Sequence, residues 1–537
     1  MSTIGKSDVA TLLSALEAAP ERAALTFYRG KLAVGRLSTR ELHAKVLGLA
    51  SRLHEEFGVR PGDRVAILAP NRLEIPALVL ALLRLGAVVV PLNPGSAPED
   101  WTYILRHSGA RGVCATRDLH ARLQAEALPP FALAVEDAWT TDAAGSPPAP
   151  PAGLEEHAAV ILYTSGTTGQ PKGVALRQRS LFSNATSMGQ NFRLDGTTQL
   201  AVLPLYHAHA FGFGLMTALS TGGHLVFTER LEPFTWADVI RAESVSVSSV
   251  VPSLLPMLLA AGISREKVPT LRHLMVSSAP LSVELARRFE ERSGIELVLG
   301  WGLSEYTNFA CCMSPFAPAE VRARLMFAGE VPSIGPALDG TEVRVADQSG
   351  GRAAEGIRGE LLVRGHSTMV GYFGDAEATA RAVDGDGWLH TGDEGYFRVE
   401  DGREHFFITG RIKEIIIRDA EKYSPLRIEA RIIDLVPELS GRLVVLGFPH
   451  REHGEEVGAF IETPAIEESL RERLLAAIQA MPVAERPKVL LCGARSIPRT
   501  HTGKIQRRKM QSWFEAFLQH RGPIFVGTIG DDAAPST

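Results

Sequence analysis

Short apolar runs separated by helix-length stretches recur along most of this chain, and that alternation restricts its fold more than any other feature. Arg64 to Ala69 is an apolar strand after the turn Pro61-Gly62-Asp63, a helix follows, and Ala87 to Pro91 is a second apolar run. Strand, helix and strand at this spacing predict a βαβ unit in a parallel sheet. The rhythm returns at Leu200–Leu203, Gly223–Phe227, Ser246–Val251 and Leu271–Ser277. Residues 8–60 read as helical and amphipathic, with Leu12, Leu13 and Leu16 on one face. From about residue 330 the texture changes to short strands and glycine turns, at Glu342–Val345, Gly359–Val363, Gly395–Arg398 and Phe406–Ile408. That predicts a β-rich subdomain. From about residue 413 strands and helices alternate again, as a small α+β unit. The expected class is α/β, with mixed sheets and helices in a large N-terminal part.

Length and composition set further bounds. A chain of 537 residues is too long for one ordinary core, so two or more domains are expected. The net charge of −5 offers no basic face for nucleic acid. Cys114, Cys311, Cys312 and Cys492 have spacings that suit neither a zinc site nor a disulfide framework, and a reducing, cytoplasmic setting is the natural expectation. The first nineteen residues hold no apolar run fit for a signal peptide. The stretch Ile75 to Pro91 carries Arg84 and is shorter than a membrane span, so it reads as a buried helix running into a strand, and no integral membrane segment is expected. Residues 137–153, ending in Pro147-Pro148-Ala149-Pro150-Pro151, read as a surface connector, and the polar residues after Asp531 as a flexible tail.

The densest chemical signal is Tyr163-Thr164-Ser165-Gly166-Thr167-Thr168-Gly169-Gln170-Pro171-Lys172-Gly173, directly after the apolar strand Ala158 to Leu162. Glycines let backbone approach a phosphate, N–H groups and hydroxyls donate to its oxygens, and Lys172 adds charge. The spacing is not that of a Walker loop. Gly300-Trp301-Gly302 lacks the third glycine of a dinucleotide fingerprint.

The first of these segments resembles the phosphate loop of the adenylate-forming superfamily, which holds acyl-CoA synthetases, aryl-CoA ligases, firefly luciferase and peptide-synthetase adenylation domains. Further matches follow in the family's order, and the resemblance spans roughly residues 25–515. It implies that Thr164, Ser165, Gly166, Thr167, Thr168 and Lys172 bind ATP. Pro204-Leu205-Tyr206-His207 resembles the segment flanking the acyl pocket, where His207 contacts the substrate and moves between half-reactions, with His209 a structural or pocket-lining residue. Val276-Ser277-Ser278-Ala279-Pro280-Leu281 resembles the turn beside adenine and the acyl chain. The family often has Gly where Ser277 and Ser278 stand, so the hydroxyls narrow that wall. Gly300-Trp301-Gly302-Leu303-Ser304-Glu305 resembles the family's Y-G-x-T-E: Trp301 near adenine, Gly302 with Ser277 and His207 in the acyl pocket, Ser304 in the ATP site, and Glu305 holding Mg²⁺ against the phosphates. Gly359-Glu360-Leu361 and Met369-Val370-Gly371-Tyr372 match a segment read as mostly structural. In Thr391-Gly392-Asp393 the carboxylate of Asp393 is the family's acceptor for the ribose hydroxyls. Arg411 should reach ribose or phosphate, and Lys413 matches the hinge residue. Ala420 stands where the family usually has Gly at the thiol's entry. Pro498-Arg499-Thr500-His501-Thr502-Gly503-Lys504 resembles the C-terminal catalytic loop, which makes Lys504 the adenylation lysine.

The resemblance implies a two-step ligase that uses ATP, Mg²⁺ and coenzyme A on a small carboxylic acid, with His207, Glu305 and Lys504 as the catalytic residues. The carboxylate attacks the α-phosphate, and Lys504, the metal on Glu305 and the phosphate loop stabilise the charge that builds. The small domain then rotates to admit a thiol. The implied division is 1–412 for the AMP- and acyl-binding domain, 413–520 for a small mobile domain with the lysine loop, and 521–537 for a tail. The alternative acceptor is a carrier protein. No Asp stands near His207 to hold an amino group, which argues against an α-amino acid.

Overall fold

The computed structural model of the chain describes residues 8–124, 128–139, 147–164, 170–347, 349–419, 421–499, 505–520 and 522–529. Two large mixed sheets carry the first part of the chain. In one, the parallel strands run in the order Phe131–Ala134, Gly112–Ala115, Arg64–Leu68, Val88–Leu92 and Ala158–Thr164, and the antiparallel strands Lys172–Arg177 and Gly371–Tyr372 extend its far edge. In the other, Leu297–Trp301, His273–Val276, Val247–Val250, Thr198–Ala201, His224–Thr228 and Ala23–Arg29 are parallel neighbours, closed by antiparallel Cys311–Cys312 and Leu32–Ser38 at the two ends. The strand–helix alternation predicts this parallel pairing, since a helical crossover is what returns the chain to the same edge.

Helices cover these sheets because their apolar faces find the same core. The helix Glu74–Arg84 is buried from Ile75 to Leu83, and it runs into the strand Val88–Leu92 as its sequence predicts. One contiguous apolar cluster joins Leu12, Leu78, Phe182, Leu200, Val250 and Phe309 across both sheets. The expectation of helix throughout residues 8–60 is corrected. Val9–Glu17 and Thr39–Glu55 are helices, but Ala23–Arg29 and Leu32–Ser38 between them form an antiparallel pair. The interior of Ala23–Arg29 is buried on both faces, so its sequence lacks the alternation that marks a half-exposed strand.

Thr341–Ala346, Gly359–Gly365, Leu389–Glu400 and Arg403–Arg411 form a four-stranded antiparallel sheet, as the short strands after residue 330 predict. Beyond it, Ile416–Arg418, Glu421–Tyr423, Leu443–His450, Gly454–Glu462, Val489–Gly493 and Phe525–Thr528 form a further sheet. The two faces of this sheet have apolar clusters of their own, one around Ile428, Ile432 and Leu474 and the other around Phe448, Phe460 and Phe514. The four cysteines are free and buried. Among the described residues no helix is long and apolar enough to cross a membrane.

Candidate active site

Three of the motif segments leave the C-terminal ends of parallel strands in one sheet. Val202–His209 follows Thr198–Ala201, Ser277-Ser278 follows His273–Val276, and Gly302–Glu305 follows Leu297–Trp301. In open α/β sheets that edge is where ligands bind, because the loops there diverge and leave a crevice.

Asp393 is buried and bonded through both carboxylate oxygens. It lies on the strand Leu389–Glu400, 4% exposed, with Trp301 Nε1 donating to Oδ2 at 2.9 Å and Arg411 Nε 2.5 Å from Oδ1. The backbone N–H of Asp393 donates to the Thr391 hydroxyl at 3.1 Å, and Arg411 also donates to the Thr391 carbonyl at 3.2 Å. The buried carboxylate is therefore paired and hydrogen-bonded, the condition under which burial of its charge is tolerated. The sequence points to Trp301 as a ring beside adenine, and the structure adds that its indole N–H anchors Asp393.

Glu305 sits in the short helix Ser304–Tyr306, four residues after Trp301. The Tyr372 hydroxyl donates to Glu305 Oε1 at 2.9 Å, and the Met369 N–H donates to the Glu305 carbonyl at 2.9 Å. Lys172 Nζ stands 4.8 Å from the centre of the Tyr372 ring and 3.9 Å from Asp375 Oδ2. Tyr372 thus lies between the cation of the loop and the carboxylate. Burial, and then the neighbouring Glu305 carboxylate, raise the Tyr372 phenol well above its ordinary value, so it stays a donor. Tyr372 comes from the segment read as structural. Its signal in sequence is one tyrosine after a glycine, and only the pairing of Gly371–Tyr372 with Val174 and Ala175 brings it to the loop.

The backbone after Glu305 is strained. Thr307 has φ +65° and ψ −54°, and the Asn308 N–H donates to the Tyr306 carbonyl two residues back at 2.6 Å. This is the rare γ-turn geometry, and such strain clusters at functional sites. The Thr307 hydroxyl donates to the Ser367 carbonyl at 2.8 Å and holds the turn. Gly302 is required by close approach, since a Cβ there would lie 1.6 Å from the Asn308 carbonyl oxygen.

The phosphate-loop stem is the antiparallel register of Thr164 with Lys172. Its support was not legible in sequence. The Tyr163 hydroxyl bonds His107 Nδ1 at 2.7 Å, and the Tyr103 hydroxyl donates to the Pro171 carbonyl at 3.3 Å, so the helix Pro98–Ser108 grips both sides of the stem. Ser165, Gly166, Thr167 and Thr168 lie outside the described residues, as do Ala420 and Lys504.

His207 is half-buried beside Tyr206, their rings 4.5 Å apart. The preceding segment is fixed by Asn71, which is 2% exposed. Its amide nitrogen donates to the carbonyls of Leu203 at 3.0 Å and Thr228 at 2.9 Å, and its oxygen accepts from the Leu205 N–H at 2.8 Å. Two residues on, His209 Nδ1 lies 2.9 Å from Ser277 Oγ and 3.0 Å from Ser278 Oγ. Burial, then His207, push His209 down to about 3, so the ring is neutral. Ser278 has φ +71°, a backbone that glycine adopts freely and serine rarely, and its hydroxyl on His209 anchors it there.

Lys413 falls in the short helix Ile412–Glu414, between the strands Arg403–Arg411 and Ile416–Arg418. Its carbonyl accepts from Arg508 at 3.4 Å, and the next residue, Glu414, pairs with buried Arg507 at 2.9 Å. Arg507 also holds buried Glu429 at 2.7 Å. No group of three or more metal-ligating side chains occurs among the described residues. Magnesium needs none, because it keeps waters and takes one or two carboxylates plus phosphate oxygens, and the Glu305 carboxylate fits that demand.

A model of the AMP-binding enzyme family matches residues 13–373. Sulfoacetate–CoA ligase of Cupriavidus necator is 32% identical over 480 residues, covering 86% of this chain and 90% of that protein. Oxalate–CoA ligase of Arabidopsis thaliana is 28% identical over 524 residues, 92% of this chain and 96% of that protein. Among solved structures, ATP-bound MatB from Rhodopseudomonas palustris superposes with a TM-score of 0.81 at 25% identity, covering 95% of this chain and 99% of that one. The chain belongs to the AMP-binding enzyme family, and within it to the CoA ligases.

Proposed function

We propose that the chain converts a small carboxylic acid and ATP to an acyl-adenylate and pyrophosphate, and then transfers the acyl group to the thiol of coenzyme A. The observation that carries this reading is the stretch Trp301–Glu305, which has Asp393 bonded at one end and the Tyr372–Lys172 pair at the other. A nucleotide laid along it meets a ribose acceptor at Asp393 and a phosphate environment at Glu305 and Lys172. Arg411, already on Asp393, extends the ribose end. Magnesium bound at Glu305 would neutralise charge on the phosphates. The acid's own carboxylate is the nucleophile, so no general base is required. Lys504 is the cation for the α-phosphate in this reading, by its match to the family's C-terminal loop.

Residues 1–412 serve as the nucleotide- and acyl-binding domain, 413–520 as the small mobile domain, and 521–537 as a tail. Separate apolar clusters on both faces of the last sheet support treating it as one moving body. Lys413 is the hinge, and Ala420 stands at the thiol entry. The free, buried cysteines favour a cytoplasmic setting.

The test is acid-dependent pyrophosphate release over a panel of carboxylic acids, followed by addition of free CoA or of a phosphopantetheinylated carrier. Steady acyl-CoA formation supports the reading. Acyl-adenylate that persists with CoA and discharges onto the carrier replaces CoA with a carrier protein as the acceptor. No acid-dependent pyrophosphate release overturns the adenylation itself.

A further inference from the structure

Four rings meet where the helix Pro98–Ser108 reaches the phosphate-loop stem, and His107 is the one that touches the other three. It stacks on Tyr103, one turn earlier in the helix, with centroids 5.3 Å apart. It stands edge-on to Tyr163 at 5.7 Å and to Phe373 at 5.9 Å. These neighbours serve different parts of the site. Tyr163 lies at the end of the strand that enters the loop, and Phe373 directly follows Tyr372. The Tyr103 hydroxyl donates to the carbonyl of Pro171, the residue before Lys172.

Gly173, the residue after Lys172, is where these parts touch. It faces Tyr163 in the antiparallel register, and a Cβ on it would lie 3.1 Å from Tyr163 Cζ, so the phenol ring covers its bare backbone. On the other edge of the same strand, the Phe373 N–H donates to the Gly173 carbonyl at 2.7 Å. Packing alone would be served by a phenylalanine at position 107. The 2.7 Å bond between His107 Nδ1 and the Tyr163 hydroxyl adds direction, because it fixes where the phenol ring lies. One imidazole therefore bears on two charged groups: on Lys172 through Tyr163 and Gly173, and on Glu305 through Phe373 and Tyr372.

We propose that His107 is a positioning residue for the triphosphate end of the nucleotide. Through these two routes it sets Lys172 against Glu305, so that both meet one polyphosphate without rearranging when it binds. This rests on the reading of Lys172 and Glu305 as the phosphate end of the site. Asp393 and Trp301, at the other end, are held by bonds of their own. The contribution of His107 is thus confined to nucleotides that carry β- and γ-phosphates.

The experiment measures binding of MgATP and of AMP to the full chain by calorimetry, for the wild type, His107→Phe and His107→Asn. Phenylalanine keeps a ring and removes the nitrogen, whereas asparagine returns a polar atom near the position of Nδ1. His107→Phe should weaken MgATP about fivefold, the scale of one net hydrogen bond, and leave AMP within about twofold. His107→Asn should recover most of that loss. In pyrophosphate release His107→Phe should raise KM for ATP and leave KM for the acid unchanged. Equal weakening of MgATP and AMP, as from a general loosening of the fold, overturns the proposal. So does MgATP binding that is the same in all three proteins, or an asparagine variant no better than phenylalanine. If His107→Phe does not fold, Tyr163→Phe removes the other half of the same bond and should show the same selective loss of MgATP. A wild type that binds neither nucleotide overturns the adenylation reading and this proposal with it. A wild type that binds both, with variants that bind both equally well, overturns this proposal alone.

Discussion

The Tyr372 hydroxyl and the Glu305 carboxylate are joined by a 2.9 Å hydrogen bond, although 67 residues separate them. A phenol donating to an ionised carboxylate makes a charge-assisted bond, and such a bond fixes where the second oxygen points. Tyr372→Phe should lower the adenylation rate roughly tenfold, the scale of one bond to a charged group. The Mg²⁺ concentration for half-maximal rate should rise as well. A magnesium titration of both proteins checks this, and superimposable curves would detach Tyr372 from the site.

Asp393 has its two oxygens committed to different partners, Trp301 and Arg411. Trp301→Phe removes one donor and keeps a ring, so KM for ATP should rise about tenfold with kcat little changed, in line with one charge-assisted bond. Asp393→Ala also leaves Arg411 without its carboxylate, and kcat/KM for ATP should fall by at least about a hundredfold. Equal effects from the two variants would mean that the indole, and not the carboxylate, meets the nucleotide.

Lys504→Ala should abolish acid-dependent pyrophosphate release. The same variant, given a synthetic acyl-adenylate and CoA, should form thioester at close to the wild-type rate, because the role proposed for the lysine lies in the first step. Single-turnover measurements of the two half-reactions separate these outcomes. Loss of both steps together would remove the two-step assignment of this residue.

His209 adds a pH signature to folding. Its folded value, about 3, lies below the ordinary 6.5, so the unfolded chain binds a proton that the folded chain refuses. The stabilisation is complete above pH 6.5 and is lost as pH falls from there toward 3, at up to about 1.4 kcal/mol per pH unit. His273, held down to about 4 by burial and by Arg272 and Arg265, adds a term of the same sign. Denaturant melts between pH 7 and pH 5 should show the slope, and His209→Leu should flatten it. A slope unchanged by His209→Leu would place the acid sensitivity elsewhere.

Much of the candidate site was legible because the chemistry proposed for it needs particular residue types in a fixed order. Asp393, Glu305 and Lys172 could each be placed by motif, and the fold brings Asp393 and Glu305 to the two ends of one short stretch. What sequence could not supply were the long-range partners. Tyr103, His107 and Tyr163 meet around the loop stem through a helix more than fifty residues from the motif in the chain. Asn71 is a single amide in an unremarked turn, and its role exists only once the two sheets are placed. The strand pair at residues 23–38 escaped for a local reason: one strand is buried throughout its interior, and the other is an edge strand with alternating partial burial. The first has no alternation to show, and in the second the exposed positions include the apolar Leu32 and Val34, so burial alternates while hydrophobicity does not.

Asn71 ties the two large sheets together. It leaves the strand Arg64–Leu68 of one sheet and is bonded to the chain at the ends of two strands of the other, through Leu203, Leu205 and Thr228. The three bonds allow little slack between the sheets at the edge where the substrate-facing segment begins. Any replacement deep in either core that slides one sheet against the other is transmitted through this amide to Tyr206 and His207. With Tyr206 and His207 at the acyl pocket, as proposed, variation far from it is expected to appear as altered substrate preference, with an effect that depends on what else has changed. In laboratory evolution of this enzyme, epistasis between remote core positions and the pocket is the expected outcome, and position 71 is where that dependence should be released.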